Sequence, residues 1–499
     1  MISQKQKTRL RLNIVSMIVL PCVTAICGMV LPRYTIECYG SDVNGLIVSV
    51  LQFLNLIVFL EMGVGAAIQT ALYEPLSNSN LLAVSGIVKA GRHYYGIIAK
   101  LLIVYVLMLL WMYPRLVDST FDREFVVSII FILSIQLFAQ YYFGIVDRLL
   151  LTADQRGYIS NIAQVVSTVL NTIVCVSLML GGASIQFVKL LGAGCFALQI
   201  VLIRYYVNTR YKLQLGGNCD DSLIKQKWNV VVHHIAAIVL DSIGVIVLSV
   251  FSSLEMVSVY AVYCYIVNGI RLVIEALSSG YRALLGELWA KKEYIETTDV
   301  FDKYVWLVNT AVSILYGCVI VLSVPFVEVY TKNIVDLNYV DVSFSVWFAV
   351  AFALRMLREP YMILSFVAGH YKQTQTIYVV VTLVQLSCSI IFVRDLGLLG
   401  IAWGTLLAMG LHVLLLVVYN EKNLLFVPRK IFMKYLGVDM LTMFAIVMLG
   451  AGLSLSEFSY FAWMLMAIKC VVLAGVVSFG INYVFFRNKV KWLFVCQRG

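Results

Sequence analysis

Charge is what this sequence has least of. Only 13% of its 499 residues are Asp, Glu, Lys or Arg, where soluble domains carry about a quarter. With 61% hydrophobic residues and a mean hydropathy of +0.91, no stretch is polar enough to form a large domain outside a membrane. Seven prolines and 32 glycines exclude fibrous and Pro-rich classes. The eleven cysteines are scattered without a C-x-x-C, which speaks against a disulfide framework or a zinc site. There is no G-x-x-x-x-G-K-[ST], so the chain is not itself an ATPase, and no G-x-S-x-G nucleophile elbow. The acidic D-x-D of membrane glycosyltransferases is missing too. No enzyme activity and no cofactor is expected.

What is present is a series of apolar runs. A membrane-crossing helix needs about 20 mostly apolar residues, and fourteen runs qualify. They cover 12–31, 44–72, 94–113, 125–151, 158–180, 185–207, 229–250, 257–285, 303–325, 343–369, 375–393, 398–419, 436–454 and 459–485. The connections 181–184 and 251–256 are so short that a re-entrant segment is an alternative at each. The first run follows Lys5, Lys7, Arg9 and Arg11 like a signal peptide, but no A-x-A site follows it, so it reads as a retained first helix.

Basic residues alternate with the runs. With the N-terminus in the cytoplasm, the inner side collects that N-terminal group, Arg210, Lys212, Lys225, Lys227, Lys291, Lys292, Arg429, Lys430, Arg487, Lys489 and others, whereas the outer side keeps Arg33, Arg115, Arg123, Lys332 and Arg394. This is the positive-inside pattern, and it places both termini in the cytoplasm. The net charge of +10 is therefore a topology signal, and no nucleic-acid partner is expected.

The chain also resembles itself. Val43–Ala71 can be laid over Val257–Leu285 at a shift of 214, with Glu61 over Glu275, and LLLTADQRGYISNI from Leu149 over LSFVAGHYKQTQTI from Leu364 at a shift of 215. A repeat of six helices keeps the same orientation, so the expected architecture is all-α and polytopic. Two six-helix bundles related by pseudo-twofold symmetry, 1–212 and 229–420, are joined by a cytoplasmic linker, 213–228. Two added helices lie within 421–499.

Ionisable side chains inside the runs are costly and usually face a partner or a cavity. They are Glu61, Lys189, Asp241, Arg271, Glu275, Arg355, Arg358, Glu359, His412 and Lys469. Arg271 with Glu275 and Arg355 with Glu359 are each spaced to pair on one helix face. That pairing would leave Arg358, two residues before Pro360, without an adjacent acid. It would either hold an anion, since a guanidinium chelates phosphate with two parallel donors, or cap carbonyls freed by the proline. Glu61 and Asp241 lack an in-helix partner, and with Glu275 they are candidates for coupling to an ion; a structural carboxyl hydrogen-bonded between helices is the alternative. His233, His234 and His412 have no Cys, Asp or Glu at ligand spacing, so no metal is assigned.

Together with the span count, LPRYTIECYGSDVNGL (Leu31–Leu46), FLEMGVGAAIQTALYEPL (Phe59–Leu76), LLLTADQRGYISNI, LSFVAGHYKQTQTIYVV and RDLGLLGIAWGTLLA (Arg394–Ala408) make the chain resemble the multidrug/oligosaccharidyl-lipid/polysaccharide exporter superfamily. Within it, the resemblance is to the polysaccharide-repeat (Wzx-type, O-antigen or capsule) flippases, and it covers nearly the whole chain. It implies a protein of the bacterial cytoplasmic membrane that moves an undecaprenyl-pyrophosphate-linked oligosaccharide between leaflets by alternating access. A proton or sodium ion would drive it, with membrane lipids, a glycan polymerase and chain-length proteins as partners. On that reading Arg271, Arg355 and Arg358 meet the pyrophosphate. Because the interior acids nearly balance the arginines, an ion-coupled multidrug exporter is an alternative, as is a peptidoglycan-precursor flippase. A membrane polymerase or ligase of surface glycans is the remaining reading.

Overall fold

A computed structural model of the protein describes every residue except 1–3, 62, 118–119, 214–227, 426–427 and 496–499. Nearly all of the expected linker, with Lys225 and Lys227, lies outside the described residues. Within them the chain is helical and without strands. In order, the helices are α1 (Gln4–Tyr39), α2 (Ser41–Asn55), α3 (Val64–Ser77), α4 (Leu81–Leu116), α5 (Arg123–Ala139), α6 (Ile145–Ala153), α7 (Gly157–Leu180), α8 (Ile185–Tyr211) and α9 (Trp228–Phe251). They continue with α10 (Leu254–Ala290), α11 (Tyr294–Tyr330), α12 (Val342–Leu357), α13 (Glu359–Val367), α14 (Tyr371–Leu396), α15 (Leu398–Asn423), α16 (Arg429–Gly450), α17 (Tyr460–Phe485) and α18 (Arg487–Val495). Thirteen of the described segments are long and apolar enough to cross a membrane. The run 343–369 supplies the fourteenth as two shorter helices, α12 and α13.

Both short connections are turns between separate helices. At 181–184 Gly182 takes φ 74° and the Ser184 hydroxyl accepts from the Phe187 amide at 3.4 Å. At the second, Ser253 accepts from the Met256 amide at 3.3 Å. Each serine satisfies a backbone donor that the first turn of a helix leaves open.

The chain divides into two compact units, one of residues 1–238 with 253–258 and one of 239–252 with 259–499. In the first, α1 packs along α7, α7 along α8, α5 on α8 and α4, and α3 on α4 and α6. Tyr39 donates to the Ala183 carbonyl at 2.7 Å, while at the opposite end the Asn13 amide donates to the Gln155 carbonyl at 2.9 Å. In the second, α15 packs on α14 and α12, and α11 carries α12, α16 and α17. Lys332 reaches the Phe458 carbonyl at 3.1 Å at one end, and Lys434 the Phe485 carbonyl at 3.4 Å at the other. Within each unit the loops thus sort to two ends in the alternation that the basic residues demand.

Small residues set the closest approaches. Gly400 and Gly404, four apart on α15, press against the α14 backbone: a Cβ on Gly400 would stand 2.4 Å from the Phe392 carbonyl carbon, and one on Gly404 2.4 Å from Ser389 Oγ and 2.9 Å from Ser389 N. This is the small-xxx-small device of membrane helices, which associate by packing because lipid is as apolar as Leu. The added helices α16 and α17 are bound to α11 through Cys318, Leu322, Ile446, Met466, Cys470 and Ala474. The Trp306 indole adds a 2.8 Å hydrogen bond to Asn482 Oδ1.

The repeat is visible in backbone irregularities, with one correction of register. The corner after α6 bonds Arg156 N to Leu151 O (2.8 Å) and Gln155 N to Thr152 O (3.2 Å), with Gln155 at φ 56°. The corner after α13 bonds His370 N to Ser365 O and Gly369 N to Phe366 O (both 3.0 Å), with Gly369 at φ 75°. Those residues are 214 apart, not 215, so one shift serves both segments. At the same shift the π-helical turn Gln140–Gly144, between α5 and α6, falls on Leu354–Arg358, where α12 gives way to α13. Pro360 accounts for the second break, since it has no N–H to give and its ring crowds the carbonyl one turn back. The segment Val43–Ala71, expected as one continuous run, is α2, a 3-10 turn Leu56–Glu61 and α3, whereas its counterpart α10 is unbroken. Asn44 and Ser258, which the repeat superposes, are themselves hydrogen-bonded at 2.7 Å.

Reporter fusions at Asn80 and Glu293 should read cytoplasmic and fusions at Lys332 and Glu457 external; two reversed readings would refute the span order. Gly404→Ala should lower stability by about 1–3 kcal/mol, as overpacking does. A drop in the unfolding temperature of the purified protein would register it, and an unchanged value would show that α14 and α15 can part without cost.

Candidate functional site

The second unit gathers most of the intramembrane charge into one cluster. Asp241 stands on α9 and Arg271 and Glu275 one turn apart on α10. Arg355 lies in the last turn of α12, Arg358 at the helix break and Glu359 at the start of α13. Arg271 Nε donates to Glu275 Oε1 at 2.7 Å and its Nη1 to Asp241 Oδ2 at 3.4 Å. The other Asp241 oxygen, Oδ1, takes an ion pair from Arg355. One carboxylate therefore joins two guanidiniums from different helices, and Arg271 joins two carboxylates.

The Arg271–Glu275 pair stands as expected from spacing. The Arg355–Glu359 pair does not: the break at Arg358 interrupts the helical register that would have aligned them, and each turns to another element. Arg355 goes to Asp241, while Glu359 accepts from Arg282 of α10 at 3.5 Å. Asp241, which has no partner within its own helix, acquires two across helices. Arg282 was not among the expected intramembrane charges, since the sequence places it at the helix end.

Arg358 is buried and donates through Nη1 to His412 Nδ1 of α15 at 3.0 Å. A guanidinium has no acceptor, so Nδ1 must carry the lone pair and the imidazole is neutral while the bond exists. The Tyr378 ring stands edge-on to His412 at 4.6 Å between centroids and 85° between planes. Arg358 is thus held by an aromatic-backed imidazole, an arrangement that spacing could not reveal because α12 and α15 meet only in the fold.

Exposure separates the cluster into a front and a back. The side chains of Asp241 and Glu275 are 39% exposed and that of Arg271 27%, whereas Arg355 retains 8% and Glu359 5%. Asp241, Arg271 and Glu275 can meet something outside the protein; Arg355 and Arg358 support them from within. Four arginines face three carboxylates, so with His412 neutral the group carries one surplus positive charge. An anion able to replace Asp241 at Arg271 and Arg355 would find two preformed guanidiniums, and the released carboxylate, in a membrane-crossing helix, would then favour uptake of a proton or a cation.

Glu61 lies in the other unit, at the end of the 3-10 turn that follows α2. Tyr141 hydrogen-bonds with it, and Tyr94 and Tyr95 stand within its field. Among the described residues its setting is one of tyrosine hydroxyls. Two further intramembrane acids were not singled out from sequence. Asp147 of α6 takes a 2.6 Å ion pair from Arg92 of α4, and Asp439 of α16 is buried near Asn309. Among the described residues no three His, Cys, Asp or Glu side chains converge on a point.

No protein-family model matches the chain, and no curated protein matches it in sequence. Solved structures do match in fold. A structure of the lipid II flippase MurJ in an inward closed conformation superposes with a TM-score of 0.69 at 13% identity, covering 94% of this chain and 99% of that one. The inward-facing conformation of a multidrug resistance MATE family transporter of the MOP superfamily gives 0.64 at 14% identity, covering 80% and 94%. An outward-facing conformation of such a transporter gives 0.58 at 12%, covering 83% and 94%. The protein therefore has the two-bundle, all-helical membrane fold found in transporters of the multidrug/oligosaccharidyl-lipid/polysaccharide exporter superfamily.

Proposed function

We propose that this protein is a flippase of the cytoplasmic membrane that carries an undecaprenyl-pyrophosphate-linked oligosaccharide between leaflets by alternating access, without chemistry of its own. The observation that supports this most is the partly exposed Asp241–Arg271–Glu275 front backed by Arg355. A pyrophosphate offers the paired oxygens that a guanidinium binds with two parallel donors. On arrival it exchanges with Asp241 for Arg271 and Arg355, and Asp241 takes up a proton or sodium ion in return. Loss of the headgroup on the far side restores the pairs and expels the ion. Arg358 contributes once it leaves His412.

A second reading rests on the same exposures. The front shows more carboxylate than guanidinium, which suits a cationic amphiphile displacing Arg271 from Asp241 and Glu275, as an ion-coupled multidrug exporter would require. A peptidoglycan-precursor flippase would present the pyrophosphate of the first reading with a different glycan. Deleting the gene separates the three: an undecaprenyl-linked surface oligosaccharide accumulates in the inner leaflet on the first reading, a peptidoglycan precursor on the third, and neither, with heightened sensitivity to cationic drugs, on the second.

Arg271→Ala and Arg358→Ala should each abolish glycan export at normal protein level and membrane insertion, and Arg→Lys should restore it only in part because the planar fork is lost. Export unchanged in both alanine variants would remove these arginines from the cargo path. Coupling has its own test, in vesicles with an imposed gradient and headgroup exposure followed at two external pH values. Glu61→Gln keeps shape and hydrogen bonding but has no titratable proton, so it should bind cargo yet lose gradient-driven transport. A Gln variant that still follows the gradient would make Glu61 structural and leave coupling to the Asp241 exchange, with Glu275 beside it.

A further inference from the structure

The first unit has a cavity of its own, with one arginine and four glutamines set in an otherwise apolar lining. It lies partly open among α5, α6, α7 and α8, has a volume of about 150 Å³, and is lined by Arg148, Gln136, Gln140, Gln164 and Gln199 together with Phe196 and three isoleucines. All of these stand in membrane-crossing segments. Arg148 has no acidic partner among the described residues. The carboxylate next to it in sequence, Asp147, is already committed to Arg92 at 2.6 Å. Gln164 Oε1 is buried without a hydrogen-bond partner. The π-helical turn Gln140–Gly144 brings Gln140 into the lining; such turns are rare and recur at functional sites.

Neutral amides cannot balance a guanidinium, and an unbalanced cation inside a membrane is costly. Such a lining favours an anion as ligand. A guanidinium matches phosphate geometry, while amides offer donor and acceptor together, which is what vicinal hydroxyls need. The size is limiting as well: about 150 Å³ is roughly five waters at liquid density, enough for a phosphate with a short polyol and too small for an oligosaccharide. Arg148 is five residues from the end of α6 at Ala153 and Gln136 of α5 seventeen, so at 1.5 Å per residue the lining runs from roughly 8 Å to roughly 25 Å inside that end, with the guanidinium at its shallow side.

We infer that this cavity is a binding site for a phosphate ester flanked by hydroxyls, with Arg148 on the phosphate and the glutamines on the hydroxyls. Two sources share that chemistry, the headgroup of an anionic phospholipid and a sugar phosphate. The site does not depend on the cargo proposed above, because its test reads binding and not transport.

The full-length protein, in a detergent with neither sugar nor phosphate, is heated with increasing dioctanoyl phosphatidylglycerol or glucose 1-phosphate. Dioctanoyl phosphatidylcholine and inorganic phosphate, which lack the hydroxyls, serve as comparisons. A ligand that binds the folded state raises the unfolding temperature in proportion to its occupancy. At least one hydroxylated probe should stabilise the wild type at lower concentration than its comparison compound. Arg148→Gln and Gln164→Leu should each shift the half-maximal concentration upward by about tenfold or more, as loss of a charge-assisted or buried hydrogen bond implies. Response to the lipid alone assigns a membrane lipid and response to the sugar phosphate alone a soluble ligand; response to both leaves the shared chemistry as the determinant. If Arg148→Gln does not fold, Gln164→Leu and Gln199→Leu carry the comparison. No shift in the wild type, equal shifts in the variants, or equal shifts with phosphatidylcholine and phosphate would each overturn the assignment.

Discussion

A carboxylate in a membrane-crossing helix is costly unless something compensates it, and Asp241 is compensated by two guanidiniums that reach it from two other helices. Much of the second unit depends on that constraint. α9, α10 and α12 are tied at one depth by Asp241, and Arg271 then fixes Glu275 on its own helix. Once Arg355 is drawn to α9, Glu359 needs another cation and takes Arg282. Arg358, left without an acid, is met by a neutral imidazole that accepts its hydrogen bond. Removing one member changes the charge balance of the others. The same coupling lets an anion entering at the front disturb the whole group.

Backbone irregularity provides the second theme. In hydrocarbon every N–H and C=O must find a partner within the protein, so a break in a membrane helix persists only where something else compensates. The two units place their breaks at equivalent positions, the π turn at Gln140–Gly144 and the discontinuity at Arg358. In both, polar side chains gather beside the break: Arg148 with its glutamines in one unit, Arg355, Arg358 and Glu359 in the other. The units nevertheless differ chemically. The second surrounds its arginines with acids and a histidine; the first leaves Arg148 among neutral amides and one of its intramembrane acids, Glu61, among tyrosines.

Much of this could be read before any coordinates. The fourteen apolar runs, the even alternation of basic loops, the six-helix repeat and the concentration of charge at Asp241, Arg271, Glu275, Arg355, Arg358 and Glu359 are properties of composition and spacing. Where the sequence was wrong, it was wrong about partners. A spacing of four predicts contact only on an unbroken helix; it held for Arg271 and Glu275 in α10 and failed for Arg355 and Glu359, which flank a break. Pro360 signalled the irregularity but not its consequence for pairing. The one-residue error in the second register has a similar origin, because few identities were available and the corner hydrogen bonds that settle it exist only in three dimensions.

By itself, then, the sequence determined that this is a polytopic helical membrane protein, how many times it crosses, and which polar residues it carries into the apolar interior. All of these follow from one-dimensional patterns, since transfer into lipid is decided residue by residue along a helix. The tertiary structure alone decided that Asp241 bridges Arg271 and Arg355, that His412 holds Arg358, and that four glutamines line one cavity with Arg148. Those are contacts between helices far apart in the chain, and they depend on rotation and depth. Packing at sites such as Gly400 and Gly404 sets rotation and depth; apolar periodicity does not, because in lipid a helix has no hydrophobic face that it must bury.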